Sequence, residues 1–278
     1  MDRRRGRGAL GGPAPHDIAL SGETAVRFAG VGFDRGPRAI LDRLSFAIEP
    51  GEFVGVIGGN GAGKTTLLQL TLGLLAPTRG TIALFGKPPR AARGLVGYVP
   101  QRIELDPDVP LRARDFVALG VDGQRWGLAL PSRTRDARVD AVLAAVGATR
   151  YANAPLGRLS GGEQQRLAIA QAVVGDPKLL MLDEPLANLD LRGAAEVTAL
   201  VAELARDRRI AVMLVAHDVN PLLRYLDRVL YLARGRAAIG PVDQIVTEAT
   251  LSRLYDQPVD VLHVRGRIVV VAADGMLE

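Results

Sequence analysis

Residues 52–66 read EFVGVIGGNGAGKTT, and this stretch decides the fold. An apolar run of strand type leads into the pattern Gly58, Gly63, Lys64, Thr65, after which a helical stretch begins. Glycines let backbone N–H groups turn toward an anion without clashes from a Cβ atom. The helix N-terminus adds about half a positive charge at the same place. The stretch therefore predicts a site for nucleotide phosphates between a strand and a helix.

The side chains of this loop have separate predicted tasks. Lys64, one of only three lysines in the chain, should reach the β- and γ-phosphates of ATP. Thr65 offers a hydroxyl to Mg²⁺, and Thr66 should bond a phosphate nearer the ribose. The alternative is a flexible glycine turn that contains a lysine, which the strand–loop–helix context disfavours. The predicted nucleotide contacts of the loop are Gly58, Gly59, Asn60, Gly61, Ala62, Gly63, Lys64, Thr65 and Thr66.

A pair of acids ends another apolar run, KLLMLDEP at 178–185. At the carboxyl edge of a parallel sheet, beside the phosphate loop, Asp183 is placed to hold Mg²⁺ through water. Glu184, which leaves the strand end in another direction, is the predicted general base for an attacking water. The alternative for the pair is an ordinary acidic turn before a proline.

Two further polar residues follow apolar runs. Gln101, in YVPQR, can reach Mg²⁺ or the attacking water. His217, after IAVMLVA, can donate a hydrogen bond to the γ-phosphate. A lone histidine at a strand end is more often structural. The phosphate-binding interpretation of His217 depends on its position after the next strand beyond the acid pair.

The pattern of the whole chain predicts an α/β fold with a mainly parallel sheet, because apolar strands alternate with helical stretches. Strand-like runs lie at 24–33, 44–50, 52–58, 81–86, 95–100, 178–185 and 210–217, and helix-like ones at 64–75, 138–148, 163–175 and 192–207. Residues from about 103 to 176 carry mainly helix signals, which predicts an inserted helical subdomain. Residues 259–272 alternate around an Arg-Gly turn, so 256–278 are predicted as a C-terminal β-hairpin extension.

Composition limits the remaining classes. The chain has 278 residues, 48% of them hydrophobic, and it lacks cysteine, which excludes disulfides and thiolate metal sites. Uninterrupted apolar stretches are too short to predict a membrane span. The basic residues 1–22, rich in Gly and Pro, lack the apolar core of a secretion signal and are predicted to be disordered. A patch that touches anionic lipid or nucleic acid is the alternative for this tail. The formal net charge of +5 does not by itself indicate a nucleic-acid binder.

Six motifs together resemble those of the ATP-binding cassette (ABC) ATPase family. They are GGNGAGKTT (58–66), VPQR (99–102), LSGGEQQR (159–166), LLMLDEP (179–185), ANLD (187–190) and VAHD (215–218). They occur in the family's order, and the resemblance covers roughly residues 24–255. It implies a P-loop NTPase core over 23–255, with an antiparallel β subdomain and the inserted helical subdomain.

The resemblance also implies a second site, on a partner molecule. Cassettes of this family work as head-to-tail dimers, with two ATP molecules sandwiched between phosphate loop and signature. Ser160, Gly161 and Gly162 would then present a hydroxyl and backbone N–H groups to the γ-phosphate held by the other copy. Asp190 would lie in the dimer-contact loop. A capping box of Ser160 and Glu163 at a helix start is compatible with this role.

The sequence departs from the family pattern at four places. Arg35 aligns where an aromatic ring usually stacks on adenine, with Phe33 two residues earlier, and an arginine plane can also stack. Gly59 replaces a common proline, Glu163 a commoner glutamine, and Asn188 a small residue.

The resemblance further implies the task of the chain. The stretch between Gln101 and Ser160 is too short for the coiled coil of DNA-repair members, and the chain holds one cassette. It looks like a transporter ATPase subunit at the cytoplasmic face of the cell membrane, bound to permease subunits and served by an extracytoplasmic substrate-binding protein. The segment after His217 resembles the zinc, manganese or iron importer branch, with the iron–siderophore branch next. A regulatory ATPase acting on protein or nucleic acid, and a scaffold without hydrolysis, are the alternatives. Mg²⁺ with ATP is the one metal expected.

Overall fold

The computed structural model describes residues 24–101, 110–122, 132–187, 189–272 and 275–276. The strands are β1 Val26–Arg35, β2 Arg38–Ile48, β3 Phe53–Ile57, β4 Arg79–Leu84, β5 Val96–Val99, β6 Leu179–Asp183, β7 Ala211–Ala216, β8 Arg228–Ala233, β9 Arg236–Gly240, β10 Val259–Val264, β11 Arg267–Ala272 and β12 Gly275–Met276. The helices are α1 Lys64–Thr71, α2 Ala113–Asp122, α3 Arg133–Ala145, α4 Gly161–Val173, α5 Leu191–Arg208, α6 Val242–Ile245 and α7 Glu248–Tyr255. The predicted tail 1–22 lies outside the described residues.

The central sheet has six strands in the order β5-β6-β7-β3-β8-β9. Neighbours from β5 to β8 pair in parallel, and only β9 runs antiparallel to its neighbour β8. Every residue of β3, β6 and β7 is buried, which explains why these strands read as continuous apolar runs. The predicted mainly parallel α/β sheet is confirmed. Its consequence is that β3, β5, β6 and β7 end at one edge.

A second sheet, β2-β1-β4, is antiparallel and packs against the central one. The rings of Phe28 and Phe46 stack with centroids 4.5 Å apart, which fastens β1 to β2. Strand β2 also touches the phosphate loop, because a Cβ atom at Gly63 would lie 2.7 Å from Leu41 Cδ2. This is the antiparallel β part that the family resemblance implied, and it supports the loop from the side.

Helices α2, α3 and α4 lie between β5 and β6 in the chain. Buried faces of the three helices meet in one apolar cluster that also includes residues of the central sheet. The boundaries predicted for a helical subdomain, about 103–176, stay a prediction, because 102–109 and 123–131 are outside the described residues. Helix α1 ends at Thr71, earlier than the predicted 75, since Gly73 takes a φ of 67° and turns the chain.

The contact between α2 and α4 depends on Gly120. A Cβ atom there would lie 2.1 Å from the carbonyl oxygen of Gln171. Gly120→Ala should therefore separate the helices and lower stability by about 1–3 kcal/mol. Thermal unfolding measures this, and Gly162→Ala is the matched control because no heavy atom lies within 4 Å of its added Cβ. Equal unfolding temperatures for the two variants would contradict the packing argument.

The C-terminal segment forms a third sheet, β10-β11-β12. Arg265 and Gly266 make the two-residue turn between β10 and β11, with φ angles of 50° and 76°. Alternate residues face inward: Val259 is buried, and Val261, Ile268 and Val270 pack against the main apolar cluster. Strand β12 was not predicted, and it extends the hairpin to three strands. Among the described residues, no helix is long and apolar enough to cross a membrane.

Candidate functional site

The phosphate loop joins the end of β3 to the start of α1. Gly58 is required by space, since a Cβ atom there would lie 2.2 Å from the carbonyl oxygen of Leu232. Gly63, the residue before α1, has a φ of 106°, which a side chain would strain. The Lys64 side chain is 6% exposed, and its Nζ donates to the carbonyl oxygens of Gly58 at 2.7 Å and Gly59 at 3.3 Å. The loop is thus folded around the ammonium group.

Burial and the neighbouring carboxylates have opposite effects on the pKa of Lys64. Burial lowers the pKa of Lys64, and the nearby carboxylates of Glu184 and Asp183 act in the other direction. Burial, followed by repulsion from Glu184, raises the pKa of Asp183, while a hydrogen bond with Tyr98 and the charge of Lys64 lower it. Two carboxylates share one ammonium group here. An added cation would therefore stabilise the ionised form of Asp183.

This environment fits Mg²⁺. The candidate ligands Thr65, Gln101 and Asp183 all offer oxygen atoms, which Mg²⁺ prefers. Within the part of the chain that the structure describes, no group of three or more His, Cys, Asp or Glu could hold a metal alone. Phosphate oxygens and water would have to complete the coordination, as is usual for Mg²⁺ bound with a nucleotide.

Glu184 is the centre of the polar cluster. Gln101 Nε2 donates to its Oε2 at 2.7 Å, and His217 Nε2 lies 2.8 Å from its Oε1. Lys64 Nζ lies 4.0 Å from Oε1 as well. Three strand ends, those of β5, β6 and β7, and the loop after β3 bring these groups together, as predicted from the apolar runs. Glu184 also has a φ of 49°, an uncommon backbone conformation for a side chain and one that clusters at functional sites.

His217 has both ring nitrogens in contact with other groups. Besides the 2.8 Å contact of Nε2 with Glu184, its Nδ1 lies 3.5 Å from Lys64 Nζ. The network assigns the proton of a neutral ring to Nε2, so that Nδ1 can accept from lysine. A neutral ring must therefore release Glu184 before its Nε2–H can donate to a phosphate.

The signature residues begin helix α4. Ser160 is the N-cap, its Oγ accepts from Glu163 N at 3.4 Å, and Glu163 Oε2 accepts from Ser160 N at 3.0 Å. The predicted capping box is confirmed. Gln164 Nε2 fixes the preceding loop by donating to the carbonyl oxygens of Leu156 and Leu159, both at 3.2 Å.

Within the part of the chain that the structure describes, packing does not require a glycine at positions 161 and 162. A Cβ atom at either residue would find no heavy atom within 4 Å, and neither needs a left-handed backbone. Glycine lowers helix stability relative to alanine, and no packing contact in the described structure explains its presence at these two positions. The N-terminus of α4 presents open space to an approaching group.

The remaining predicted residues have no contact with the Glu184 side chain in the described structure. Asp190 is the N-cap of α5, where its Oδ1 accepts from Gly193 N at 2.7 Å, and Asn188 lies outside the described residues. Arg35 is exposed at the turn from β1 to β2, opposite Arg38, and Phe33 packs partly buried against the second core cluster. Thr65 is exposed and Thr66 half-buried at the first turn of α1.

Sequence reasoning missed three residues around this cluster. Tyr98, on β5, hydrogen-bonds Asp183, and burial together with that carboxylate raises the pKa of its hydroxyl. Asp218 and Asn220, after His217, form hydrogen bonds with each other. Tyr98 lies three residues before Gln101 on the same apolar run, which is the signal that could have found it.

Comparisons with known proteins agree with this geometry. Residues 41–187 match the family described as ABC transporter, and the chain belongs to that family as an ATP-binding, ATP-hydrolysing subunit. The zinc import ATP-binding protein of Pseudomonas fluorescens (strain Pf0-1) is 36% identical over 235 residues, which cover 84% of this chain and 80% of that protein. The hemin import ATP-binding protein of Bordetella avium (strain 197N) is 36% identical over 242 residues, covering 82% and 91%. A solved ABC transporter assigned to the metal-chelate type, in an inward-facing conformation, has a TM-score of 0.75 and 26% identity, covering 89% of this chain and 96% of that chain.

Proposed function

We propose that this chain is the ATPase subunit of an importer for metal ions or metal chelates. Its relatives carry names for zinc and hemin import, and the similarity to each covers more than four fifths of this chain. In this proposal two copies associate head to tail on permease subunits at the cytoplasmic face of the membrane. An extracytoplasmic substrate-binding protein delivers the cargo. Iron–siderophore import is the second candidate within the class.

One observation carries the hydrolytic part of the proposal. The Glu184 carboxylate lies beside Lys64 and contacts Gln101 Nε2 at 2.7 Å and His217 Nε2 at 2.8 Å. A water oxygen attacks the γ-phosphorus of ATP, and Glu184 takes up one of its protons. The bond from the γ-phosphorus to the bridging oxygen breaks, and ADP leaves with that oxygen. Lys64 stabilises the charge on the phosphate oxygens. Gln101 and His217 each contact one Glu184 oxygen, and the remaining lone pairs of the carboxylate can accept from the water.

Thr65, Gln101 and Asp183 are the proposed Mg²⁺ residues, and a bound ion would supply positive charge to the phosphate oxygens. The other residues of the loop, Gly58 to Gly63 with Thr66, surround the phosphates through backbone N–H groups and a hydroxyl. Arg35 is the proposed contact for adenine. Two observations support this role. Arg35 is exposed at the turn between β1 and β2. Leu41, on β2, borders the phosphate loop at Gly63.

Ser160, Gly161 and Gly162 bind the γ-phosphate of the partner copy in this proposal. The support is the open space around both glycines at the start of α4, where the capping box leaves their backbone N–H groups available. Asp190 lies in the facing contact loop of the dimer.

Gly161→Ala separates this role from stability. Because the added methyl group meets no heavy atom within 4 Å among the described residues, the unfolding temperature should stay unchanged or rise slightly. ATP turnover should nevertheless fall about tenfold or more, because the methyl group holds the partner's phosphate away from the backbone N–H groups. The measurement is steady-state hydrolysis beside thermal unfolding. Wild-type turnover would remove this surface from the site.

The transport part of the proposal is tested on membranes of the native host. Full-length tagged protein is recovered after detergent solubilisation, and its partners are identified by mass spectrometry. A permease with several membrane spans, together with a metal-binding extracytoplasmic protein, is the expected result. Recovery of only non-membrane partners would instead support the regulatory ATPase and would leave the hydrolytic chemistry intact.

A further inference from the structure

The loop that carries His217 connects β7 to β8. Between β7 and β8, residues 217–227 form turns and bends rather than a helix or strand. Val219 and Leu222 are buried and fix the middle of the loop, with Leu222 N donating to the Val219 carbonyl oxygen at 2.9 Å. A cavity of 500 Å³ separates part of the loop from the C-terminal sheet and the phosphate loop, with Asn60, His217, Asn220 and Val270 in its lining. Apolar packing therefore leaves open space beside His217 and Asn220.

Asn220 spans this gap with a two-point contact. Its Nδ2 donates to the carbonyl oxygen of Ile268 at 2.9 Å, and its Oδ1 accepts from Ile268 N at 2.8 Å. These are the two backbone groups that a neighbouring strand would pair. Among the described residues, strand β12 pairs with Val271 and Ala272 on β11, and the side chain of Asn220 occupies the edge position at Ile268.

The contact continues toward the site through Asp218. Asp218 Oδ1 accepts from Asn220 N at 2.9 Å and from Asn220 Nδ2 at 2.6 Å. The next residue toward the N-terminus is His217, whose Nε2 lies 2.8 Å from Glu184. A continuous path thus runs from the C-terminal sheet to the proposed general base. The sheet is itself fixed, because Val259 is buried in the main core cluster, and Val261 and Ile268 pack against it.

We propose that Asn220 is a positioning residue for His217, and that the C-terminal sheet is the support through which it acts. This inference rests on the proposed role of His217 in hydrolysis. A two-point amide contact fixes both the position and the rotation of the loop, which a single apolar contact does not. Displacing His217 by a fraction of an ångström would change its alignment with Glu184 and the phosphate, and such errors cost rate rather than substrate affinity.

The test is a double-mutant cycle on the full-length chain with Asn220→Ala, His217→Ala and both together. Asn220→Ala should lower kcat about tenfold with KM for ATP nearly unchanged. In the His217→Ala background it should have no further effect. Asp260→Asn, an exposed change on β10 of the same sheet, is the control and should retain wild-type turnover.

A second readout does not require turnover. The chain has three histidines, so the imidazole signal of His217 can be assigned by NMR through the His217→Ala variant. Asn220→Ala should shift or broaden that signal, and Asp260→Asn should not. An unchanged His217 signal with unchanged kcat, or an equal loss of kcat in both backgrounds, would overturn the inference. Full turnover in His217→Ala itself would instead count against the proposed function.

Discussion

Glu184→Gln should reduce ATP turnover at least about 100-fold while ATP binding remains near the wild-type level. Glutamine keeps the size of the side chain and its acceptor oxygen, so one of the contacts with Gln101 and His217 persists. It cannot take up a proton from water, and this is the property that the proposed mechanism needs. Single-turnover hydrolysis measures the chemical step, and nucleotide binding is measured separately at equilibrium.

The result has a matched control and a second consequence. Glu203→Gln makes the same chemical change at an exposed position on α5 and should hydrolyse ATP normally. The Glu184→Gln chain should also form a dimer that persists in ATP, because the sandwiched nucleotide is not consumed. Turnover within a few-fold of wild type would remove Glu184 from the general-base role.

Lys64→Met should weaken ATP binding by about tenfold to a hundredfold, since a charge-assisted hydrogen bond to phosphate is worth about 1.5–3 kcal/mol. Methionine keeps the apolar stem that is buried at the start of α1. The folded state loses two hydrogen bonds to loop carbonyl groups, but it no longer buries an ammonium group. The unfolding temperature should therefore change little, and the main effect should be the lower affinity for ATP.

Lys87→Met is the control for this prediction, because Lys87 is exposed after β4. It removes the same charge from the chain without touching the phosphate loop. Calorimetric titration with ATP and Mg²⁺ compares the two variants. Equal affinity in both would contradict the role assigned to Lys64.

The sequence was sufficient to predict the residues of the central cluster, for a local reason. Lys64, Glu184 and His217 follow fully buried strands, Asp183 is the last residue of one, and parallel strands end at a common edge. The order of the strands remained open, because pairing between β3 and its neighbours β7 and β8 joins segments far apart in the chain. No local pattern encodes that order.

Other features depend on contacts that local patterns do not record. Strands β8 and β9 were not predicted, although they turn on Arg234 and Gly235 much as β10 and β11 turn on Arg265 and Gly266. The engagement of both ring nitrogens of His217, with Glu184 and Lys64, follows from side-chain geometry. Asn220 reads as an ordinary turn residue before a proline, and its partner Ile268 is distant in sequence.

The glycine pair in LSGGEQQR is a feature that the sequence makes evident but that the fold of a single chain does not explain. A capping box accounts for Ser160 and Glu163, and the structure has both of its hydrogen bonds. It does not account for Gly161 and Gly162, whose added methyl groups would meet no heavy atom within 4 Å in the described ranges. Residues that the fold does not require are candidates for contact with a ligand or partner. For this glycine pair, the family resemblance indicated the γ-phosphate held by the partner copy.

The most direct test of the account is metal uptake by the native host after deletion of this gene, with zinc, manganese, iron and hemin supplied in turn. The deletion should lower uptake of one of these cargoes. Wild-type protein should restore it, while Glu184→Gln, produced at the same level, should not. Restoration by Glu184→Gln, or unchanged uptake of all four cargoes in the deletion strain, would contradict the claim that this chain hydrolyses ATP to power metal import.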